Sequence, residues 1–339
     1  MEVRSLYFIL WVFLLLSCTD KDEILVPSNK ILEKIAIPAH FPEINFPAEN
    51  AYSAERWILG KKLFYDKRLS IDSTVSCGSC HKQSKGFADD VSLTPGVFGR
   101  VGVTNAPTLA NIAYHPYYTR EGGLPTLEMQ VLVPISEHNE FGFNIVEIEQ
   151  RLKVDATYQE MAMKAYGRSL DPFVITRSIS TFERSIISGK SKYDDYINGR
   201  AIFSKEEELG KELFFSEKTN CSQCHSGFNF TNYEFKNNGL YEIYTHPGRF
   251  RLTQKESDLA LFKTPSLRNV GFTAPYMHDG SMATLENVVD HYNNGGNTHT
   301  HKSELVRPLG LTSIEKKALV AFLHTLDDFE LLTNPFLDE

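Results

Sequence analysis

Cysteine is scarce in this chain, which has five such residues among 339. They are Cys18, Cys77, Cys80, Cys221 and Cys224. A structural zinc site usually has four ligands, most of them cysteine thiolates. Because the chain has no further thiols to complete such sets, the composition disfavours a protein built around structural zinc.

Clusters of positive charge are also missing. The formal net charge is −8, and no run of lysine and arginine stands out. These features argue against a nucleic-acid partner, whereas an acidic surface attracts basic proteins. Strand signals are sparse as well, which favours a mainly helical chain.

The N-terminal apolar run at 6–16 is too short to span a bilayer and is typical of a signal peptide. It ends in Leu-Leu-Ser-Cys18, which resembles a lipobox and implies cleavage before Cys18 and lipidation of that residue. Ordinary secretion, with Cys18 free or discarded, is the alternative. We therefore expect a lipoprotein signal peptide at 1–17, a tether and lead-in at 18–50, and an exported protein anchored to a membrane on its periplasmic side.

The other four cysteines form two Cys-x-x-Cys-His motifs, Cys77-Gly-Ser-Cys80-His81 and Cys221-Ser-Gln-Cys224-His225. Two thiols at this spacing can attach one porphyrin, and the adjoining imidazole can bind its iron. The sequence thus predicts two covalently bound haem c groups, with His81 and His225 as proximal ligands. Two zinc sites or two disulfides are the less favoured alternatives.

The chain also repeats itself. Leu-Gly-Lys-Lys-Leu-Phe-Tyr at 59–65 recurs as Leu-Gly-Lys-Glu-Leu-Phe-Phe at 209–215, an offset of 209 − 59 = 150 residues. Each copy precedes a Cys-x-x-Cys-His motif, and a Gly-Phe pair follows each motif. The pattern indicates a duplicated module. We predict haem c domains at 51–198 and 199–339.

Helical signals dominate the remainder. Apolar spacing predicts helices at 145–154, 157–166 and 172–188, and a terminal helix with Ile314, Ala318, Phe322 and Leu326 on one face. Ser204-x-x-Glu207 and Thr312-x-x-Glu315 are predicted capping boxes. The expected fold is mainly α, with two cytochrome c-like haem domains arising from an internal duplication.

Motifs outside the haem strings resemble those of bacterial dihaem cytochrome c peroxidases and the related MauG enzymes, over about residues 50–330. The matching segments are Asn105-Ala-Pro-Thr108, Thr126-Leu-Glu-Met-Gln130, Pro134, Glu140, His246-Pro-Gly-Arg249, Thr264-Pro-Ser-Leu-Arg-Asn269 and Thr273-Ala-Pro-Tyr-Met-His-Asp-Gly280. The resemblance implies an enzyme that acts on peroxide at the first haem and receives electrons through the second.

The resemblance places Gln130 and Glu140 in the distal pocket of the first haem. Glu140 is the expected acid–base catalyst, which takes a proton from one oxygen of H2O2 and returns it to the other. Glu137 is the alternative, and without the resemblance Glu140 would be interpreted as a solvated loop acid.

Many relatives block the first iron with a histidine in the loop after the first haem motif. Here that loop, at about 91–103, has no histidine, so we expect an open first haem. The candidates that follow in the chain are His115, Met129 and His138.

The second haem differs from that of many relatives at its sixth ligand. The family pattern places a methionine after the segment that is Leu285-Glu-Asn-Val-Val-Asp290 here, and this chain has Tyr292 at that position. MauG-like members ligate this iron with a tyrosine, so the resemblance implies that Tyr292 does so here. Four other residues could take the place of Tyr292, and these are Met277, His278, Met282 and His291.

Between the haems most relatives carry a tryptophan, and Arg120 stands in its place. An arginine is not oxidised at these potentials. Electron transfer between the haems would therefore proceed through Tyr117 or Tyr118, or by direct tunnelling.

The resemblance also implies Ca2+ between the two domains. Its ligands would be the side chain of Asn105 and the main-chain oxygens of Thr273 and Pro275, with water in the remaining places. A loop-capping role for Asn105 is the alternative.

We therefore expect a dihaem c-type peroxidase that reduces hydrogen peroxide with electrons from a small cytochrome c or another exported donor. A MauG-like oxidase of a partner protein and a non-enzymatic dihaem electron carrier are the alternatives. The expected partners include the membrane through lipidated Cys18 and exclude nucleic acid, and a homodimer is compatible with this interpretation.

Overall fold

A computed structural model describes residues 37–339 of the chain. The predicted signal peptide, Cys18 with its predicted lipidation, and the first part of the predicted tether lie outside the described residues. The described part is mainly helical with few strands, as the sequence predicted. None of the helices in this part is long and apolar enough to cross a membrane.

The helices are numbered in chain order. They are α1 (Ala54–Tyr65), α2 (Cys77–Cys80), α3 (Leu127–Gln130), α4 (Leu132–Ser136), α5 (Ile145–Leu152), α6 (Ala156–Tyr166), α7 (Pro172–Glu183), α8 (Lys192–Ile197), α9 (Lys205–Phe214), α10 (Cys221–Cys224), α11 (Phe250–Thr253), α12 (Leu285–Asn293), α13 (Ser313–His324) and α14 (Phe329–Thr333). Short 3-10 helices lie at Ala48–Asn50, Lys67–Leu69, Gln83–Lys85, Val97–Gly99, Ile112–Tyr114 and Glu256–Asp258. Strands β1 (Phe235–Lys236) and β2 (Phe262–Lys263) pair antiparallel, with Phe235 opposite Lys263.

Helix α7 ends earlier than its apolar pattern predicted. The predicted segment extends to residue 188, whereas the helix ends at Glu183. Beyond Glu183, backbone groups of the chain form hydrogen bonds with Asn111. The Asn111 N–H donates to Ile186 O at 2.8 Å, and the Asn111 side-chain oxygen accepts from Ser188 N at 2.9 Å. A distant residue therefore replaces the helical hydrogen bonds of the last turn.

Both predicted capping boxes form. The Ser204 side chain accepts from Glu207 N at 3.2 Å, and Thr312 accepts from Glu315 N at 3.3 Å. Of the predicted apolar face, Ala318 and Phe322 are buried in α13, and Leu326 is buried just beyond the end of the helix. Ile314 is 71% exposed. Ile314 lies in the first turn of that helix, before the part that enters the core.

Two helix crossings in the chain have the same close geometry. At the crossing of α1 and α7, a Cβ on Gly60 would lie 1.9 Å from Ser178 O. At the crossing of α9 and α13, a Cβ on Gly210 would lie 1.9 Å from Ala318 O. Only glycine permits this approach, which explains the glycine in each copy of the repeated heptapeptide.

The buried apolar residues form two large clusters. The first surrounds α1 and α7 and includes Leu63 and Phe182, and the second surrounds α9 and α13 and includes Phe214 and Phe322. The C-terminal residues return to the first cluster, where Leu337 is buried. Each cluster packs against a Cys-x-x-Cys-His motif, so the fold provides an apolar environment beside both.

Candidate haem centres

Each Cys-x-x-Cys-His motif forms one helical turn that ends in its histidine. His81 N donates to Cys77 O, and His225 N donates to Cys221 O, both at 2.9 Å. The four thiols are free and partly buried. This turn places Cys77 and Cys80 against the first apolar cluster and Cys221 against the second.

The two histidine rings have matching hydrogen bonds. His81 Nδ1 lies 3.0 Å from Phe87 O, and His225 Nδ1 lies 3.1 Å from Phe230 O. Because a carbonyl can only accept, each Nδ1 carries the proton and each Nε2 keeps a free lone pair. A histidine that binds a metal through Nε2 is commonly oriented by such a bond.

Burial also keeps these imidazoles neutral. It lowers the pKa of His81 and lowers the pKa of His225 to about 4, so neither ring is protonated at pH 7. The residues present therefore fit a c-type haem at each motif, held through two thioether bonds and one histidine nitrogen. When bound, the haem supplies the redox-active iron.

Glu140 belongs to a tight turn after α4. Its N–H donates to Glu137 O at 3.0 Å, and its own carbonyl accepts from Val97 N at 2.9 Å. Gly96 is needed beside this turn, because a Cβ there would lie 2.0 Å from Asn139 O. The turn therefore holds the Glu140 backbone against the loop at 91–103, which follows the first haem motif.

The surroundings of the Glu140 carboxyl favour its neutral form. Burial by protein atoms, with a smaller contribution from the charge of Glu137, raises its pKa to about 7. The side chain is nevertheless exposed, which leaves the carboxyl accessible to a small molecule. The charge of Glu140 also contributes to raising the pKa of the Cys77 and Cys80 thiols, so the carboxyl faces the first haem motif.

Gln130 is the last residue of α3, and a buried ion pair fixes this helix. Arg184 donates to both carboxylate oxygens of Glu128, at 2.6 and 2.9 Å. Asn50 also donates to this carboxylate, at 2.9 Å. The pair ties α3 to the end of α7 and thereby determines where Gln130 lies.

Glu183 is a buried acid that the sequence analysis missed. Burial raises its pKa to about 8, and its charge is felt by the Cys77 thiol. Its Oε2 atom has no hydrogen-bond partner among the described residues. The feature that could have identified Glu183 is the position of a glutamate on the buried face of α7.

The three candidate sixth ligands of the first haem lie in different environments. Met129 is 47% exposed. His138 is exposed and contacts Arg100 at 3.3 Å. His115 is near the second half of the chain, with its Nδ1 3.3 Å from Lys263 Nζ.

Tyr292 lies beside the second haem motif. It shares the inner face of α12 with the buried residues Leu285 and Val289. Burial raises its pKa to about 12, and the Cys221 and Cys224 thiols add to this effect, so the phenol is near both sulfurs.

The other candidates for the second iron have partners elsewhere. His291 Nε2 lies 3.0 Å from Asn238 O, and Met277 Sδ accepts from Asn238 Nδ2 at 3.2 Å. His278 stacks on Phe262 with ring centroids 4.2 Å apart. Met282 pairs through its backbone with Tyr276. Asn238, which the sequence analysis did not single out, thus contacts two of the candidates and also lies beside the Tyr292 hydroxyl.

The residues expected to bind calcium make hydrogen bonds to one another and to Arg120. Asn105 Nδ2 donates to Pro275 O at 2.9 Å. Arg120 Nη2 donates to the main-chain oxygen of Asn105 at 3.2 Å and also to its side-chain oxygen. The Arg120 Nε atom is shielded from water and has no partner among the described residues. Thr273 donates to Val270 O at 3.4 Å.

Comparison with known proteins agrees with this geometry. Residues 54–201 match the family model described as di-haem cytochrome c peroxidase. The chain is 34% identical to the methylamine utilization protein MauG of Methylorubrum extorquens, over 86% of this chain and 84% of that protein. The chain belongs to the di-haem cytochrome c peroxidase family. The prediction of a dihaem oxidoreductase that acts on peroxide is thereby confirmed.

Two further proteins are similar to this chain over most of its length. The chain is 33% identical to the cytochrome c551 peroxidase of Nitrosomonas europaea, over 84% of this chain and 83% of that protein. The crystal structure of a MauG-like protein associated with microbial copper homeostasis superposes with a TM-score of 0.85, at 35% identity, over 89% of this chain and 97% of that chain. Membership in the family implies two haem c groups.

Proposed function

We propose that the protein reduces hydrogen peroxide to water at the first haem, with electrons that enter through the second haem from a small cytochrome c or another exported donor. The observation that carries this proposal is the pair of matched histidines. Both His81 and His225 have Nδ1 held by a carbonyl and Nε2 free beside two thiols. Within residues 37–339, a carboxyl with a pKa near 7 faces the first of these motifs and none faces the second.

The reaction needs a group that moves one proton between the two oxygens of peroxide. We assign this step to Glu140, whose carboxylate takes the proton of one oxygen and returns it to the oxygen that leaves as water. Two electrons and two protons complete the conversion of H2O2 to two waters. A pKa near the working pH allows both halves of this transfer. Gln130 would orient the peroxide through its carboxamide.

Steady-state kinetics test the proposal. Reduced small cytochrome c should be oxidised only when peroxide is present, in a ratio of two equivalents per peroxide. A protein that changes its Soret band with peroxide but does not oxidise the cytochrome would instead be a MauG-like oxidase. The absence of any change in the Soret band would leave only the electron-carrier function.

The MauG-like oxidase is a second candidate because of Tyr292. Burial raises the pKa of this phenol to about 12, with smaller contributions from the Cys221 and Cys224 thiols, which supports a role for Tyr292 at the second motif. Among the relatives, both MauG and a MauG-like protein match over most of the chain. Such an activity would require a partner protein whose residues are oxidised.

An open first haem is the first spectroscopic prediction. The loop at 91–103 offers no histidine, while His138 and Met129 are exposed. We expect the resting diferric protein to show one high-spin and one low-spin signal by electron paramagnetic resonance. Two low-spin signals would contradict the prediction.

Replacing Tyr292 tests the ligand of the second haem. We expect Tyr292→Phe to remove the low-spin signal of that haem and to raise its reduction potential by on the order of 100 mV, because a phenolate stabilises ferric iron. Tyr276→Phe is the matched control, since Tyr276 is also partly buried but donates to Val270 O at 2.9 Å. An unchanged spectrum in Tyr292→Phe would favour His278, His291, Met277 or Met282.

The proposal extends to architecture and location. The matched helix crossings and histidine bonds support an origin by internal duplication, with haem domains at 51–198 and 199–339. We also propose export to the periplasmic side and lipidation at Cys18, which lies outside the described residues. Calcium at Asn105, Thr273 and Pro275 is not part of this proposal, because Arg120 donates to both Asn105 oxygens.

A further inference from the structure

Arg120 lies where the two halves of the chain meet. Its carbonyl accepts from Lys263 N at 2.7 Å, and Asn105 N donates to His278 O at 3.1 Å, so loops of both halves are joined here. The guanidinium donates to both oxygens of Asn105. The Asn105 carboxamide oxygen and the Pro275 carbonyl, which were expected on calcium, already accept hydrogen bonds from the chain.

The oxygens that receive these bonds are uncharged. Among residues 37–339, no carboxylate lies within 4.0 Å of the Arg120 guanidinium. The nearby Glu121 side chain lies 3.4 Å from His246, and Asp279 accepts from Tyr241 at 2.6 Å. A buried arginine is usually paired with a carboxylate. Side-chain amide and main-chain carbonyl oxygens are also among the ligands that calcium takes in proteins.

We propose that the Arg120 guanidinium takes the place of calcium at the junction of the two halves, so that the protein binds no metal ion there. The guanidinium is always charged and has five donors, which suits it to neutral oxygens fixed by the fold. Calcium cannot share the Asn105 oxygen with it, because two cations on one acceptor repel each other. The inference goes beyond the peroxidase function and does not depend on it.

The first test uses the native holoprotein. We expect it to contain no stoichiometric calcium after passage over a chelating resin, and its Tm to be the same in EGTA and in about 5 mM calcium chloride, which exceeds the Kd of weak extracellular sites. About one calcium per chain, or a Tm that rises with calcium, would overturn the proposal. That result would also be expected if Arg120 served only a haem carboxylate while calcium bound at Thr273 and Pro275.

The second test removes the guanidinium. We expect Arg120→Met to bind one calcium per chain and to gain roughly 5 °C in Tm at saturating calcium. Lys263→Met is the matched control, because it removes a neighbouring, partly buried cation that donates to Tyr117 O and not to Asn105. Lys263→Met should bind no calcium. Failure of Arg120→Met to bind calcium would contradict the proposal, since these oxygens would then form no cation site.

A third variant covers the case in which Arg120→Met does not fold. Asn105→Asp adds a negative charge next to the guanidinium and would strengthen any calcium site there. If Arg120 fills the position, the new carboxylate pairs with it, and the variant stays free of calcium. Calcium binding by Asn105→Asp would overturn the proposal. All of these readouts are metal content and Tm, so a lack of peroxidase activity would not affect them.

Discussion

Glu140→Gln should lower kcat for peroxide reduction by about 10²- to 10⁴-fold, the usual contribution of a positioned acid–base group. The amide keeps the shape of the side chain but can no longer take a proton from peroxide and return it. Haem content and the resting spectrum should not change, because the Nδ1 atoms of the proximal histidines are held by Phe87 O and Phe230 O and not, within residues 37–339, by the Glu140 side chain. Stopped-flow or steady-state kinetics with reduced cytochrome c measure the effect.

The pH dependence gives a second signature of the same residue. Burial and then the charge of Glu137 raise the Glu140 pKa to about 7. Because the ionised carboxylate must accept the first proton, kcat/KM of the native protein should rise with pH through about 7. This acid limb should disappear in Glu140→Gln.

Glu137→Gln is the matched control. It removes the charge that adds to the Glu140 pKa, so the acid limb should move to lower pH while kcat at higher pH is retained. The opposite pattern, with Glu140→Gln retaining activity within about twofold and Glu137→Gln losing it, would assign the acid–base role to Glu137.

Asp194→Asn should destabilise the holoprotein by about 3–5 kcal/mol, because it leaves a buried arginine without its counter-charge. Arg268 donates to both carboxylate oxygens of Asp194, at 2.7 and 2.9 Å, and both side chains are fully buried. Arg268 also donates from Nε to Phe228 O at 2.7 Å. Its guanidinium packs on the ring of Phe230, the residue whose carbonyl holds His225. The pair therefore supports the loop that orients the second proximal histidine.

Urea unfolding of the holoprotein measures this effect, and Asp195→Asn is the control. Asp195 pairs with Arg200 at 2.8 Å, but the Asp195 side chain is 45% exposed, so its loss should cost about 0–1 kcal/mol. Equal effects of the two substitutions would contradict a structural role for the buried pair.

The same pair predicts how stability changes in acid. Burial alone would raise the Asp194 pKa, but the hydrogen bonds and charge of Arg268 outweigh it and lower that pKa. A carboxyl whose folded pKa is depressed contributes stability above its unfolded pKa, near 4, and this contribution is lost as the pH falls through the folded pKa. Asp194→Asn should therefore reduce the loss of stability in acid.

Local patterns predicted much of what the structure contains. The capping boxes at Ser204 and Thr312 depend on residues three positions apart, and both form. The turns of the two haem motifs are equally local. The early end of α7 was not predictable from local patterns. Beyond the helix, Ser188 N donates to the side chain of Asn111, which is 77 residues away in the chain.

In the candidate site too, some features follow from the sequence and others only from tertiary packing. The sequence identified the thiols, the proximal histidines and five candidates for the second iron. The family resemblance favoured Tyr292, but the residues alone could not show which candidates have partners elsewhere, because those partners, such as Asn238 for His291, are as far as 53 residues away. The environment that raises the Glu140 pKa also depends on tertiary packing.

By itself the sequence determined that two haems attach to this chain, since each attachment motif is a single turn whose chemistry lies within five residues. Only the tertiary structure decided that the guanidinium of Arg120 and the carboxamide of Asn105 meet, and that Pro275 joins them from 170 residues away. The physical reason is the separation along the chain of the residues that interact. Helical turns and caps are made by neighbouring residues, whereas the charge balance at a junction depends on which loops the packed cores bring together.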